Sequence, residues 1–369
     1  MLLLAPEKTG KRLAWLDALR GLAAALVVYE HAVSGLWPEL HEASGAWFAA
    51  GWCGVMVFFL ASGYIVPASL ERRGDVRGFW IGRLFRLYPL WAVCVAAGLV
   101  LLPAEGSALS ALAHLTMLQD LLGVSSVVSV LWTLSYEMAF YLLLTALFAL
   151  GLHRRSTALA LGFTGCALAA GLAGLAGITW AAGAEAFQRG PVVVAAVVVV
   201  GAGLALVLAG RGRVRQAGAA VLALVVVALL GLGGRLPVWQ SLLILATMFA
   251  GTVLCRVESG QIGRRAAWLM LLIPVAGFAL SPGTNLKSAF VAAWVIFLGG
   301  MALRGRGMPY ALAWLGTVSY SVYLLHPLLL AVLPAIWAVP ATLAVSALTW
   351  RLVEAPAQRL GKRLATAGT

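Results

Sequence analysis

Apolar runs of about twenty residues recur along nearly the whole chain, divided by short stretches where arginine and lysine collect. As a helix, a run of that length matches the hydrocarbon thickness of a bilayer. A segment in lipid must satisfy its own backbone, and a helix does so internally. Of the 369 residues, 62% are hydrophobic and 11% charged, against about 25% charged in soluble domains. Mean hydropathy is +0.97. The sequence therefore predicts an all-α polytopic membrane protein, a bundle of about 10–12 transmembrane helices.

The candidate spans are 14–35, 50–69, 85–102, 131–152, 157–178, 191–209, 216–233, 238–255, 266–281, 286–303, 311–331 and 335–353. The net charge of +13 raises nucleic acid as a partner, but the basic residues sit at the joints between spans, as the positive-inside rule expects. Lys8/Lys11/Arg12, Arg72/Arg73/Arg77/Arg83, His153/Arg154/Arg155, Arg211/Arg213/Arg215, Arg256/Arg264/Arg265, Arg304/Arg306 and Arg359/Lys362/Arg363 fall at alternate joints. The alternation predicts that both termini are cytoplasmic. The first run reads as an uncleaved span rather than a removable signal peptide. Residues 1–369 read as a single integral membrane domain with 14–356 as its core, and the Val-rich 191–233 as an extra helix pair or an overcount. The less apolar 103–130 reads as an outer loop with an interfacial or re-entrant piece. The four cysteines are scattered, with no CxxC or Cys/His cluster that would hold a metal or frame disulfides.

One apolar run is unusual. Leu16 to Ala32 carries Asp17, Arg20, Glu30 and His31. Arg20 and His31 are eleven residues apart, about three helical turns plus roughly 20°, so they share a face about 16 Å apart along the axis. Ionisable groups at such depth need partners and mark function by default.

Further along come Phe58-Phe59-Leu60-Ala61-Ser62-Gly63, Arg83-Leu84-Phe85-Arg86, and Trp132-Thr133-Leu134-Ser135-Tyr136-Glu137 followed by Phe140-Tyr141. Nearer the C-terminus are Tyr320-Ser321-Val322-Tyr323-Leu324-Leu325-His326 and Glu354-Ala355-Pro356. With the Arg20-x10-His31 spacing, this series resembles, in order and over nearly the whole chain, the membrane acyltransferase type 3 family of integral membrane O-acyltransferases. Thr133 stands where that family commonly has Ser, and 191–233 exceeds its usual core of about ten helices.

The resemblance implies transfer of an acetyl or other short acyl group from acyl-CoA to a hydroxyl of a sugar-containing acceptor: a polysaccharide, a lipid-linked glycan or a glycosylated metabolite. The acyl-CoA, acetyl-CoA above all, is a substrate rather than a tightly bound cofactor. The setting is the inner (plasma) membrane of a bacterium. His31 is then the base, Arg20 positions the donor, and Glu137 is either a catalytic partner or a hydrogen-bond anchor. Arg83 and Arg86, one turn apart, suit the donor's phosphates. Glu30, Ser62, Tyr323, His326 and Glu354 are substrate-contacting or structural. Ser62 with Gly63 also reads as a close helix crossing.

Topology sorts these groups by depth. Arg20, Arg83, Arg86 and Glu354 fall toward the cytoplasmic side, and His31, Glu137 and His326 toward the outer half. The competing reading is a proton-coupled transporter or exporter with His and Glu as a relay. No matching pair of broken helices and no internal repeat supports it.

Overall fold

A computed structural model describes residues 13–102, 107–176, 190–232 and 234–366. Lys8, Lys11 and Arg12, and parts of the expected segments 103–130, 157–178 and 191–233, lie outside the described residues. Within the described residues all regular structure is helical. In chain order the helices are α1 (Ala14–Leu36), α2 (Pro38–Gly45), α3 (Ala50–Arg73), α4 (Val76–Leu101), α5 (Ala108–Leu115), α6 (Trp132–Ala149) and α7 (Ser156–Leu175). They continue as α8 (Gly190–Ala209), α9 (Gly212–Leu232), α10 (Val238–Glu258), α11 (Arg265–Leu269), α12 (Leu272–Leu280), α13 (Thr284–Ala302), α14 (Tyr310–Thr317), α15 (Ser319–Val332), α16 (Ala335–Thr349) and α17 (Ala355–Thr366). Nine described helices are long and apolar enough to cross a membrane, or ten if the α14–α15 pair counts as one bent span. The 23-residue α1 is long enough but is not among them, since it carries the ionisable residues named above.

Two expected spans are not straight. Residues 266–281 form the short α11 and α12, broken near Met270. Pro274 has no N–H to return to the Met270 carbonyl, so the ladder fails there. Residues 311–331 bend by 74° between α14 and α15. At that bend, Thr317 Oγ1 donates to the Ala313 carbonyl at 3.0 Å and Ser319 Oγ to the Gly316 carbonyl at 2.9 Å. These hydroxyls satisfy carbonyls near the break. The expected loop 103–130 contains α5 and a buried turn: Met117, Leu118, Gln119, Asp120, Leu121 and Leu122 are all buried. Within the described part of 191–233, α8 packs against α9, and α9 also on α6.

The centre is α3, α6 and α10, with α1 and α15 against them, while α4, α7, α8, α9, α13 and α16 turn most of their surface outward. Two glycines permit the closest crossings. A Cβ on Gly63 would lie 1.8 Å from the Met248 carbonyl oxygen, where α3 meets α10. One on Gly316 would lie 1.7 Å from the Asp17 carbonyl oxygen, where α14 meets α1. Small residues at such crossings bring backbones together where lipid supplies no hydrophobic drive.

Contacts between joints define the two ends of the bundle. Arg256 pairs with Glu71 and donates to Ser156 Oγ and the His153 carbonyl, both at 2.9 Å. Glu258 pairs with Arg304 at 2.6 Å and accepts from the Tyr64 hydroxyl. Trp15 meets Tyr64 edge-to-face, and Gly361 of α17 lies against Phe85 of α4. The basic joints after α3, α6, α10 and α13 thus gather at one end with the start of α1 and with α17. At the other end, the Ala49 N–H donates to the Asn285 carbonyl at 3.2 Å, joining two joints poor in basic residues.

Candidate active site

A narrow cavity of about 80 Å³ lies inside the bundle. Arg20, Ser62, Arg86, Glu137, Tyr320 and Tyr323 line it, from α1, α3, α4, α6 and α15. Helix periodicity explains the convergence: Arg20 lies on the α1 face toward α3 and α15, and Arg86 stands one turn beyond Arg83. Arg86, Asp17 and Glu137 are charged neighbours of Arg20. Two guanidiniums and the Glu137 carboxylate thus converge on one cavity, with Asp17 beside Arg20.

Arg83 stands apart from this lining. Its guanidinium lies over the rings of Phe79 and Tyr141, 5.5 and 5.6 Å from their centroids. The Tyr141 hydroxyl in turn donates to Glu137. Arg83 therefore supports the wall on which Glu137 is held, while Arg86 opens onto the cavity. Glu354, in a wide π turn at Trp350–Glu354, is buried and accepts from Ser321 Oγ. Thr349 Oγ1 donates to the same Ser321 oxygen at 2.9 Å. No direct ion pair joins Glu354 to an arginine among the described residues; Arg86 acts on it through its field.

His31 and His326 meet edge-to-face, 5.0 Å between ring centroids. His31 Nδ1 bonds the Val27 carbonyl at 2.9 Å, and His326 Nδ1 the Val322 carbonyl at 3.0 Å. A carbonyl only accepts, so both Nδ1 atoms carry hydrogen and both neutral rings keep their lone pair on Nε2. His326 is fully buried and its Nε2 has no partner, whereas His31 is exposed at the protein surface. Tyr323 ties the histidines to the cavity: it lines the cavity, and its ring lies 6.1 Å from that of His326. Its hydroxyl accepts from Thr133 Oγ1 at 3.0 Å and donates to the Val130 carbonyl at 3.2 Å.

The Glu137 carboxylate faces the cavity beside Arg20 and Arg86, and neither histidine lines that cavity. Glu30 is also engaged elsewhere: its carboxylate accepts from the N–H groups of Ala50 and Gly51, at 2.9 and 3.3 Å, capping the start of α3. Ser62 faces the cavity while its neighbour Gly63 makes the helix crossing.

Other residues around the site had no role assigned from sequence. Tyr320, which opens the Tyr320–His326 stretch, lines the cavity and donates to the Leu87 carbonyl at 2.9 Å. In the connecting stretch before α6, the Asp120 N–H donates to Ser135 Oγ at 3.1 Å. Burial pushes the Asp120 carboxyl up to about 6, against the pull of Arg235 and the Tyr136 hydroxyl. His114 in α5 uses both ring nitrogens, Nδ1 on the Ser110 carbonyl at 2.8 Å and Nε2 on the Val127 N–H at 3.1 Å. Burial holds it below the ordinary imidazole range.

The family model described as an acyltransferase domain matches residues 13–351, which include every cavity-lining residue and both histidines. The chain belongs to the acyltransferase 3 family. It is 31% identical over 163 residues to Nodulation protein 10 of Rhizobium leguminosarum bv. viciae, covering 36% of this chain and 43% of that protein. The chain thus matches less than half the length of that curated relative. No solved structure matches it. Membership of the acyltransferase 3 family and the many apolar helices make this a multi-pass membrane protein of that family.

Proposed function

We propose that this acyltransferase moves an acetyl or other short acyl group from acyl-CoA to a hydroxyl of a sugar-containing acceptor. The observation that carries the proposal is the adjacency of two environments. One cavity wall bears Arg20 and Arg86, and Tyr323 connects that cavity to an imidazole pair with free Nε2 atoms. The basic end with its joints and both described chain ends is cytoplasmic, following the positive-inside rule, and the membrane is the plasma membrane. Acyl-CoA arrives from that side. Its phosphates meet the basic surface, and its arm enters past Arg86 and Arg20 toward the histidines.

In the transfer step, His31 Nε2 takes the acceptor hydroxyl's proton as the oxygen attacks the thioester carbonyl. The carbon–sulfur bond breaks, and the leaving thiolate recovers the proton from the imidazolium. Arg20, about 16 Å from His31 along α1, holds the donor on its way to the imidazole. His326 buttresses the ring of His31, and Glu137 keeps the two arginines paired and oriented. Direct transfer and an acyl-histidine intermediate both use the same nitrogen.

The test is release of free coenzyme A thiol, and movement of label from acetyl-CoA to methyl glycosides, in proteoliposomes. Wild type should transfer. His31→Ala should lose about a thousandfold, within the range for a positioned general base. A folded His31→Ala that transfers at the wild-type rate overturns the role of that residue. Glycoside flux without acyl transfer would favour a transporter.

A further inference from the structure

A second, larger cavity of about 540 Å³ opens at the end of the bundle away from the basic joints. Asp120, Ser126, Ser129, Trp132, Arg235 and Pro327 are among its lining residues. Its volume is that of a small-molecule pocket. Neither Asp120 nor Arg235 belongs to a recognisable sequence pattern, and Arg235 is a cation in a joint otherwise on the poorly basic side. Asp120 is 4% exposed, and its Oδ2 has no hydrogen-bond partner. A buried carboxylate oxygen left unpaired is costly, and a ligand donor reaching it would remove that cost.

The rest of the lining restricts what that ligand is. Ser126 and Ser129 add hydroxyls that both donate and accept, and Arg235 adds donors. Trp132 is held rigid by stacking on Trp52, with centroids 5.6 Å apart and planes 11° apart. A carboxylate, a guanidinium and hydroxyls beside a fixed indole suit a molecule with one apolar face and a rim of hydroxyls. The formal charges of Asp120 and Arg235 cancel, so the lining favours a neutral ligand over an anionic one. Two elements wall both cavities. On α6, Trp132 lines the outer cavity and Thr133 the inner one; on α15, Pro327 lines the outer and Tyr323 the inner. His326 lies between Tyr323 and Pro327 on that shared wall.

We propose that the outer cavity is a subsite for a neutral pyranose ring, with Asp120 and Arg235 taking its hydroxyls and Trp132 packing on its carbon–hydrogen face. Its role as the acceptor subsite rests on the transferase reading above; the binding itself does not. A ring held there adjoins the wall that carries His326, on the opposite side from the arginines.

Calorimetric titration of the full chain in phosphatidylcholine nanodiscs tests this without any acyl donor. The probes are the methyl glycosides of glucose, galactose and rhamnose, with glucuronic acid and hexanol as the charged and apolar controls. At least one neutral glycoside should saturate, and Asp120→Asn and Arg235→Gln should each weaken it about tenfold or more. Arg235 is exposed, so its variant keeps the test alive if Asp120→Asn fails to fold. The subsite is overturned if no neutral glycoside saturates, if both variants bind like wild type, or if hexanol or glucuronic acid binds as well as the glycosides. Because transfer is measured separately, glycoside binding with no acyl transfer contradicts the enzyme reading and leaves the subsite standing. Transfer with binding unchanged by the variants does the reverse.

Discussion

His31 has one nitrogen committed to the Val27 carbonyl and the other free, beside a second imidazole in the same state. That arrangement was legible in part. The eleven-residue interval put Arg20 and His31 on one face because helix geometry is rigid over three turns. The meeting of Glu137 with Arg20 was not legible, since it joins α6 to α1 across the bundle. Asp120 and Arg235 left no trace, since their meeting depends on tertiary packing between distant segments. Glu30, one residue before His31, caps α3. Glu30→Ala should lower stability by about 1–2 kcal/mol, the range for a lost helix cap, read as a fall in the thermal midpoint in detergent. An unchanged midpoint would show that the cap contributes nothing.

Among elements, α3 depends on Gly63. Gly63→Leu should prevent α3 and α10 from closing, because even a Cβ meets the Met248 carbonyl oxygen, and overpacking typically costs about 1–3 kcal/mol or more. Loss of the folded, monodisperse species on size-exclusion chromatography checks it. The motif's small residues were visible in sequence, but their partner helix was not. The buried stretch before α6 carries two titrating groups of opposite sense, both outside the helices long enough to cross the membrane. His114 is lowered by burial, so its contribution is present above the ordinary value of about 6.5 and is lost as pH falls below it. Asp120, raised to about 6 from 3.8, gains stability as pH falls through that interval. Asp120→Asn removes the opposing gain. Hydrogen-exchange protection of residues 116–128 should therefore fall more steeply between about pH 7 and 5 in the variant than in wild type. Equal slopes would contradict the pairing of signs.

Over the whole molecule, the alternation of basic and non-basic joints predicted which loops share an end, and the contacts of Arg256 and Glu258 realise it. The break at 270 has a sign in Pro274, whereas the bend at 318 carries no proline and was hidden in an apolar run. Arg256 of α10 is 5% exposed and ties α3, α7 and the joint between α6 and α7 together. Arg256→Ala strands Glu71 and should cost about 3–5 kcal/mol, seen as failure to survive mild heating that wild type withstands.

The division of the bundle into a donor side and an acceptor side is tested most directly by sidedness. Proteoliposomes of known orientation receive labelled acetyl-CoA on one face and methyl glycosides on the other. Label should reach the glycoside only when acetyl-CoA meets the face bearing the basic joints and glycoside the opposite face. Equal transfer with the two substrates exchanged, or transfer only when both share one face, would contradict it.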